Sequence, residues 1–388
     1  MTIFKLTPKY YFGIDALSQL PNELKLHNYK KAMILYGGGS VKKNGIFDDV
    51  VKHLNTANLP FVEFGGIEPN PHHSTINKAA ELGRNENVDL IIAVGGGSVI
   101  DSSKPISIMI SNPQINDSWD IVLQKADIKN LPVDIFSVIT LAGTGSENNS
   151  GFVVTNEITL EKEGILIPET TPKVAFEDPK YLLTLSEWQT SSGIYDCFTH
   201  LLEQFYAPQT FLWTDEYIIA NMLTLFKATS KALQNKSDLE AKANILWTTS
   251  FALNGLAMFD PNEKYEHDFI IHMIEHALSA KYDVTHGAGL ALITPSLVKY
   301  RSSKDEWFKQ RTLILAQRLF NVNGVDEFVS KIIEWIKELN LPIKYTDFKE
   351  ISDISNDDII SLAEHTIKFS HTTFTKDDVI NVLKMIEK

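Results

Sequence analysis

The sequence predicts an α/β domain built on a parallel sheet, followed by a domain made only of helices. Four short apolar runs in the first half, at 32–36, 61–64, 90–94 and 135–139, each lead into a glycine-containing segment and alternate with helical patterns. Near-continuous apolar strands separated by helices are typical of a parallel sheet covered on both faces. Beyond residue 185, hydrophobic residues recur with the 3.6-residue period of helices, and β-branched blocks are absent.

These patterns divide the 388-residue chain into an α/β domain at 1–180 and an all-helical domain at 181–388. At roughly 150 residues per domain, this length allows two to three domains. We also expect a two-stranded hairpin after the fourth strand, formed by 152–155 and 158–160. A functional site is expected in the cleft between the two domains.

The composition argues against several partners and locations. The chain carries 49 acidic and 36 basic residues, a formal charge of -13, which repels the phosphates of nucleic acids and anionic lipids. The single cysteine, Cys197, cannot form a disulfide framework, and the first residues lack the basic and apolar regions of a signal peptide. We therefore expect a cytoplasmic protein that binds neither nucleic acid nor membranes.

Two glycine clusters lie where predicted strands are followed by helices. The sequence Gly-Gly-Gly-Ser occurs at 37–40 and again at 95–98. Such loops let backbone N–H groups approach a phosphate, and the helix N-terminus adds a partial positive charge. Glycines that only make tight turns are the alternative interpretation. Two such loops at neighbouring strand ends favour a dinucleotide, but neither contains G-x-G-x-x-G, which disfavours an ordinary Rossmann enzyme.

The residues of the first loop bear on the choice of nicotinamide cofactor. An NAD-preferring site usually places a carboxylate near the ribose 2′-hydroxyl, where it repels a 2′-phosphate. Here Ser40 is followed by Lys42 and Lys43, a hydroxyl and two cations that suit a 2′-phosphate. We therefore expect NADP(H), with Gly38, Gly39 and Ser40 in contact with it. Solvated helix charges are the alternative interpretation of the two lysines.

A carboxylate and several imidazoles recur at helical spacing in the second half. Asp196 and His200 are four residues apart in one apolar segment, His272 and His276 repeat this spacing in another, and His286 follows. Side chains four apart leave one face of a helix and can converge on one ion. A carboxylate with three imidazoles suits Fe²⁺ or Zn²⁺. Spacing alone does not decide which three histidines bind, and histidine pairs on helices also occur in ordinary packing.

Together these motifs resemble those of the iron-containing (group III) alcohol dehydrogenases, in particular the branch of NADPH-dependent butanol dehydrogenases and broad-range aldehyde reductases. The resemblance extends over nearly the whole chain and implies a dehydroquinate synthase-like architecture and a homodimer. Its specific parts are Gly-Gly-Gly-Ser at 95–98 with Asp101, Thr-x-x-x-Thr-Gly-Ser-Glu at 140–147, Asp-x-x-x-His at 196–200, and His-x-x-x-His at 272–276 followed by His286.

The resemblance also implies roles for individual residues. Asp196, His200, His272 and His286 would bind a divalent metal. His276 would lie beside the nicotinamide, either as the proton donor or as a residue that only orients the site. The residues implied to bind the cofactor, in addition to the first loop, are Gly95, Gly96, Gly97, Ser98, Asp101, Thr140, Thr144, Asn149 and Lys162.

The implied reaction is reversible hydride transfer, in which an aldehyde, NADPH and a proton give a primary alcohol and NADP⁺. Because no cluster of Arg or Lys flanks the metal segments, small neutral aldehydes fit better than anionic substrates. Two other functions stay open. A dehydroquinate synthase-like lyase, dependent on metal and NAD, would need a basic pocket, and a non-catalytic nucleotide-binding protein would be indicated by the loss of a metal ligand.

Overall fold

The computed structural model describes most of the chain. The described residues are 8–208, 211–259, 268–351, 353–370 and 372–387. Across these ranges, every helix is either too short or too polar to cross a lipid bilayer.

The chain forms two compact units. The first, called here the sheet unit, comprises the described residues 8–185 together with 232–250. The second, called here the helical unit, comprises 186–231 and the residues from 251 onward. The segment 232–250 thus belongs to the sheet unit although helices of the helical unit precede and follow it in the sequence.

The sheet unit is built on six parallel strands. They are β1 (Lys9–Phe12), β2 (Ala32–Tyr36), β3 (Phe61–Phe64), β4 (Leu90–Gly95), β5 (Asp134–Ile139) and β8 (Val174–Glu177). Their order in the sheet is β1-β8-β5-β4-β2-β3. All six residues of β4 are buried, as expected for a strand covered on both faces. The predicted parallel sheet is therefore confirmed.

Strands β2 and β4 are direct neighbours, which determines where the two glycine loops lie. Their register pairs Ala32 with Leu90 and Tyr36 with Val94. Because both strands run in the same direction, their carboxyl ends meet at one edge of the sheet. The loops 37–40 and 95–98 follow these ends and therefore leave the sheet side by side.

Helices connect the strands of the sheet unit. They are α1 (Leu20–Lys25), α2 (Ser40–Lys43), α3 (Ile46–Thr56), α4 (His73–Asn85), α5 (Gly97–Ser111) and α6 (Ser118–Val122). Helix α5 begins directly at the second glycine loop and is buried over most of its length. Its backbone N–H groups at the N-terminus consequently face the same sheet edge as the loops.

The predicted hairpin is present, but its second strand lies further along the chain than expected. Strands β6 (Gly151–Asn156) and β7 (Glu161–Leu166) pair antiparallel. Residues 158–160 form the connecting turn, so the prediction of a strand there was wrong. The side-chain oxygen of Asn156 accepts hydrogen bonds from the N–H groups of Ile158 and Thr159 at 3.0 and 3.1 Å. This Asx turn outweighs the strand propensity of the short apolar run.

The segment 232–250 contributes most of one helix, α9 (Leu239–Ala252), to the sheet unit. The hydroxyl of Ser250 donates to the buried carboxylate of Glu177 at 2.8 Å, and the amide of Asn148 donates to the Ser250 carbonyl at 2.7 Å. A Cβ on Gly145 would lie 2.6 Å from the Thr249 carbonyl oxygen. Only glycine permits this approach, so the segment is closely packed against the loop that follows β5.

The remaining helices confirm the predicted all-helical second half. They are α7 (Glu187–Phe205), α8 (Leu212–Gln234), α9 (Leu239–Ala252), α10 (Ile270–Tyr282), α11 (His286–Lys304), α12 (Glu306–Leu315), α13 (Val325–Glu338), α14 (Asn356–Phe369) and α15 (Lys376–Met385). In the helical unit, α11 packs against both α7 and α10. These three helices carry the predicted metal ligands.

Candidate active site

Three helices of the helical unit bring the predicted metal ligands together. Helix α7 carries Asp196 and His200 one turn apart, α10 carries His272, and His286 is the first residue of α11. The Oδ1 atom of Asp196 lies 3.6 Å from Nδ1 of His200, 3.6 Å from Nε2 of His272 and 3.6 Å from Nε2 of His286. The structure thus places all four residues around one point.

Two glycines of α11 make this convergence possible. A Cβ on Gly287 would lie 1.9 Å from the backbone carbonyl oxygen of Ser192 on α7, and a Cβ on Gly289 would lie 2.8 Å from Cγ of Glu275 on α10. No other residue type could bring the backbones of α7 and α11 so close at position 287. This approach places His286 beside Asp196.

The donor atoms fit a divalent cation. Oδ1 of Asp196, Nδ1 of His200 and Nε2 of His272 are buried and, within the described part of the chain, have no hydrogen-bond partner. Leaving such atoms unpaired is costly. Separations of 3.6 Å agree with a tetrahedral site, in which metal–ligand distances of about 2.0 to 2.2 Å place neighbouring ligands about 3.3 to 3.6 Å apart. The set suits Fe²⁺ or Zn²⁺, and the His286 side chain is 25% exposed, which keeps one side accessible.

The electrostatics of the cluster favour the binding of a cation. Burial would raise the pKa of Asp196, but the neighbouring histidines hold that pKa well below its usual range. Burial lowers the pKa of His200 to about 3, so its imidazole is neutral and offers a lone pair at neutral pH. Burial also opposes the charging of His272, yet the carboxylates of Glu203 and Asp196 raise its pKa to about 9. A divalent cation would take the place of the proton that these carboxylates attract.

His276 lies next to the four predicted ligands. It is buried, and its ring centroid is 5.7 Å from that of His286 and 6.4 Å from that of His272. Possible ligand atoms of His276, Glu275 and His286 lie within 4.8 Å of one another, as do those of Asp196, His200 and His272. His276 therefore lies close to the predicted ligand His286.

The second glycine loop of the sheet unit contacts the segment after β5. Gly95 ends β4, Gly96 precedes α5, and Gly97 and Ser98 are its first residues. A Cβ on Gly97 would lie 2.4 Å from the Thr144 side chain, and the N–H of Thr140 donates to the Gly95 carbonyl at 3.0 Å. The predicted cofactor residues of these two segments are therefore neighbours.

The first glycine loop lies beside the start of α5. A Cβ on Gly37 would lie 3.7 Å from Cγ2 of Val99, and Gly39 adopts a positive φ of 94° that favours glycine. Gly38 and Ser40 are exposed. The backbone and hydroxyl of this loop are accordingly accessible to a ligand at the sheet edge.

One of the two lysines after this loop is already engaged by the protein. The ammonium of Lys42 lies 2.7 Å from the carboxylate of Glu63 and 4.8 and 4.5 Å above the rings of Tyr36 and Phe47. Lys43 is exposed. Part of the positive charge expected for a 2′-phosphate is therefore balanced by Glu63.

The other predicted cofactor residues of the sheet unit have polar partners in the protein. Both carboxylate oxygens of Asp101 accept hydrogen bonds, one from Ser146 and one from the N–H of Val153. The Asn149 amide donates to the Gly145 carbonyl at 3.0 Å. On β7, the buried ammonium of Lys162 donates to the side chain of Asn70 at 3.0 Å. These contacts hold the predicted residues in defined positions along the loops.

Models of one protein family match both the first and the second half of the chain. The model of iron-containing alcohol dehydrogenases matches residues 7–179, and the model of the C-terminal domain of that family matches residues 190–387. The chain belongs to the iron-containing alcohol dehydrogenase family. Members of this family are oxidoreductases that bind a divalent metal and a nicotinamide cofactor.

Relatives of this chain within the alcohol dehydrogenase family differ in the nicotinamide cofactor that their names give. NADH-dependent butanol dehydrogenase B of Clostridium acetobutylicum is 35% identical over 84% of this chain and 80% of its own length. The NADPH-dependent aldehyde reductase YqhD of Escherichia coli is 31% identical over 87% of this chain and 86% of its own. The crystal structure of NADH-dependent butanol dehydrogenase A from Thermotoga maritima superposes with a TM-score of 0.91 at 30% identity, covering 100% of this chain and 99% of that one.

Two further buried carboxylates lie at this site and were not among the residues predicted from the sequence. Glu203 on α7 contacts Nδ1 of His272 and accepts a hydrogen bond from the N–H of Ile271 at 2.6 Å. Glu275 on α10 contacts Nδ1 of His286. Each carboxylate can accept the Nδ1 proton, which leaves the Nε2 lone pair of the same ring directed at Asp196.

A sequence signal for Glu203 was available. Asp196, His200 and Glu203 have the spacing i, i+4, i+7, which puts them on one face of α7. An acidic residue on the ligand face of an otherwise apolar helix indicates a buried partner, because an unpaired carboxylate there would be costly. Glu275 had a weaker signal, since its partner His286 lies on the next helix.

We expect Glu203→Gln to weaken metal binding by about 10- to 100-fold, because loss of the carboxylate removes the group that orients His272 and makes it more basic. Metal affinity can be measured by competition with a chromophoric chelator. Glu187→Gln, the same change at an exposed position of α7, is the matched control and should leave the affinity unchanged. Equal affinities of the Glu203 variant and the wild type would contradict the assigned role.

Proposed function

We propose that the protein is a cytoplasmic, metal-dependent NADP(H) alcohol dehydrogenase and aldehyde reductase that acts as a homodimer on small neutral aldehydes and primary alcohols. The observation that carries this proposal is the convergence of three imidazole nitrogens on Oδ1 of Asp196, each at 3.6 Å. Relatives named butanol dehydrogenase and aldehyde reductase support the substrate class.

Different residues of the chain bind the metal and the cofactor. Asp196, His200, His272 and His286 hold the metal, which when bound supplies a Lewis acid for the carbonyl oxygen. The glycine loops and Thr140, Thr144 and Asn149 bind and orient the nicotinamide nucleotide that supplies the hydride.

A proton must also reach the oxygen atom of the product. His276 is our candidate donor, directly or through one water molecule, because an imidazole exchanges protons near neutral pH. Its burial beside His286 supports this role. The alternative is that His276 only orients the neighbouring ligand.

The arginines of the helical unit support a neutral substrate. Arg301 forms an ion pair with Asp268 at 3.0 Å, Arg311 pairs with Asp215 at 2.7 Å, and Arg318 pairs with Glu216 at 2.7 Å. Each guanidinium is thus engaged by a carboxylate of the protein. Bidentate anchoring of a substrate phosphate or carboxylate by one of these groups would require breaking its ion pair.

The preference for NADP(H) is supported by the first glycine loop. Gly38, Gly39 and Ser40 place no carboxylate at the position where one would repel a 2′-phosphate. Lys43 is exposed after the loop, whereas Lys42 shares its charge with Glu63. The preference therefore rests mainly on the loop itself and on Lys43.

We expect Ser40→Asp to weaken NADPH binding by about 10-fold or more and to change NADH binding far less, because the new carboxylate repels the 2′-phosphate. The ratio of kcat/KM with the two cofactors measures this effect. The control is Ser40→Asn, because asparagine is nearly the same size as aspartate but carries no charge. This variant should keep the wild-type ratio of kcat/KM with the two cofactors. An unchanged ratio in the aspartate variant would place the 2′-phosphate elsewhere.

The proposed activity can be tested with protein purified under anaerobic conditions. We expect the metal-stripped protein to oxidise NADPH in the presence of butanal only after Fe²⁺ or Zn²⁺ is restored. Elemental analysis of the untreated protein identifies the resident metal. Lack of turnover with a panel of aldehydes, with metal and cofactor both present, would refute the proposal.

A further inference from the structure

Helix α5 contains a completely buried lysine, Lys104, three residues after Asp101. Its ammonium donates to the Ser146 carbonyl at 2.8 Å, the Ser146 hydroxyl at 2.7 Å, the Asn149 side-chain oxygen at 3.3 Å and the Gly151 carbonyl at 2.5 Å. All four acceptors lie in one short segment, 146–151. Lys104 therefore ties the helix that begins at the second glycine loop to the loop that carries Asn149.

Asp101 completes this network from the same helix. One of its carboxylate oxygens accepts from the Ser146 hydroxyl at 2.5 Å, and the other accepts from the N–H of Val153 at 3.0 Å. The Ser146 hydroxyl therefore accepts from Lys104 and donates to Asp101. Both charged groups of α5 are used to hold residues 146–153, the stretch that enters β6.

The placement of Asn149 depends directly on this network. Its side-chain oxygen accepts from Lys104 and from the N–H of Gly151, at 3.3 and 2.8 Å, and its amide donates to the Gly145 carbonyl at 3.0 Å. The buried ammonium is thus one of three hydrogen-bond partners that fix the orientation of the amide. Without that cation, the side-chain oxygen would lose one of its two donors.

Keeping this charge in the interior is costly, which argues for a specific use. Burial lowers the pKa of Lys104 to about 8, although the carboxylates of Asp101 and Glu147 act in the opposite direction. A buried cation is tolerated only when its hydrogen bonds are satisfied. A Leu or Met at this position would fill the space without that cost.

We propose that Lys104 is a positioning residue that fixes the Asn149 loop against the phosphate-binding start of α5, so that the nicotinamide is held in the geometry required for hydride transfer. This inference rests on the proposed function, because it assigns Asn149 to the nicotinamide end of the cofactor. A shift of about 1 Å at a reacting group can cost on the order of 100-fold in rate. The network is therefore expected to act on kcat more than on binding of the aldehyde.

Three variants of the full chain test the proposal. Lys104→Met keeps the length of the side chain and removes the charge. Ser146→Ala removes only the hydroxyl between Lys104 and Asp101, and it decides the question if the methionine variant does not fold. Ser103→Ala is the matched control, because Ser103 is a buried serine of α5 whose hydroxyl donates to the Ile100 carbonyl of the same helix, at 2.6 Å.

For each variant we would measure cofactor affinity by the fluorescence of bound NADPH, the separate kcat and KM for butanal, and Co²⁺ binding by visible absorption. We expect Lys104→Met to lower kcat about 100-fold and Ser146→Ala about 10-fold, with the KM for butanal changed less than about threefold. Co²⁺ binding should stay at the wild-type level, since its ligands lie in the helical unit. Ser103→Ala should behave as the wild type.

Two results would overturn the inference. One is a kcat of Ser146→Ala within about twofold of the wild type, and the other is an equal loss of kcat in all three variants, which would indicate a general packing effect. Failure of the wild type itself to bind NADPH would instead refute the proposed function, and the role of Lys104 with it. The fluorescence measurement on the wild type separates these cases.

Discussion

Asp196→Ala is expected to abolish both metal retention and turnover. Its Oδ1 atom is the point at which the imidazoles of His200, His272 and His286 meet, each at 3.6 Å. Without the carboxylate, three imidazoles remain, and the site loses the negative charge that attracts a cation. Because a metal contributes several kcal/mol to carbonyl activation, we expect kcat to fall by at least about 1,000-fold.

The loss should be specific to the metal site. Elemental analysis of the purified variant should show less than about a tenth of the wild-type metal content, and His272→Ala should behave in the same way. NADPH binding, measured by fluorescence, should persist because the glycine loops lie in the other unit. Cys197 is the buried residue that follows Asp196 on α7, and its side chain points about 100° away from that of Asp196. We therefore expect the Cys197→Ala variant to retain the metal. An Asp196→Ala variant that kept its metal and its activity would show that Asp196 is not a metal ligand.

The second large effect is expected from Gly287→Ala. The added Cβ would lie 1.9 Å from the Ser192 carbonyl oxygen and 2.6 Å from its carbonyl carbon. Both partners are backbone atoms, so no side-chain rotation relieves the overlap, and α7 must move away from α11. Overpacking of this kind costs about 1 to 3 kcal/mol, and the movement displaces His286 from Asp196.

We therefore expect Gly287→Ala to lower the unfolding temperature and to weaken metal binding by about 100-fold, measured by thermal unfolding with and without metal. Gly324→Ala is the control. Its Cβ would meet only the flexible carboxylate of Glu327, at 3.2 Å, and its effects should be small. Wild-type metal affinity in Gly287→Ala would show that α11 can shift without moving His286.

The central strands of the sheet were predictable because a strand buried on both faces is a nearly continuous run of apolar residues in the sequence. The apolar runs of β2 and β4 are continuous, those of β3 and β5 are each interrupted by one polar residue, Glu63 or Ser137, and all four end at or near glycine. Patterns of this kind did not predict strands β1 and β8. These two strands form through tertiary pairing, because β8 pairs with β5 along one edge and with β1 along the other. Pairing of β1 with β8 joins segments more than 160 residues apart and has no local signal.

The metal ligands were predictable for a different reason. Spacing along one helix reports which side chains share a face, and this property placed Asp196 with His200 and His272 with His276. Spacing does not report what packs against that face. The carboxylate partners of the histidines and the contacts of Lys104 with the Asn149 loop depend on tertiary packing and became visible only in the structure.

The segment 232–250 has a consequence for dissecting the protein. Within the described residues, the main chain passes from one unit to the other after 185, after 231 and after 250. A fragment ending at residue 185 would lack the Ser250 hydroxyl that donates to the buried Glu177, as well as the close neighbour of Gly145. We therefore expect that neither of the two fragments obtained by dividing the chain after residue 185 folds on its own. Co-expression of the two halves is expected to restore a folded enzyme by fragment complementation.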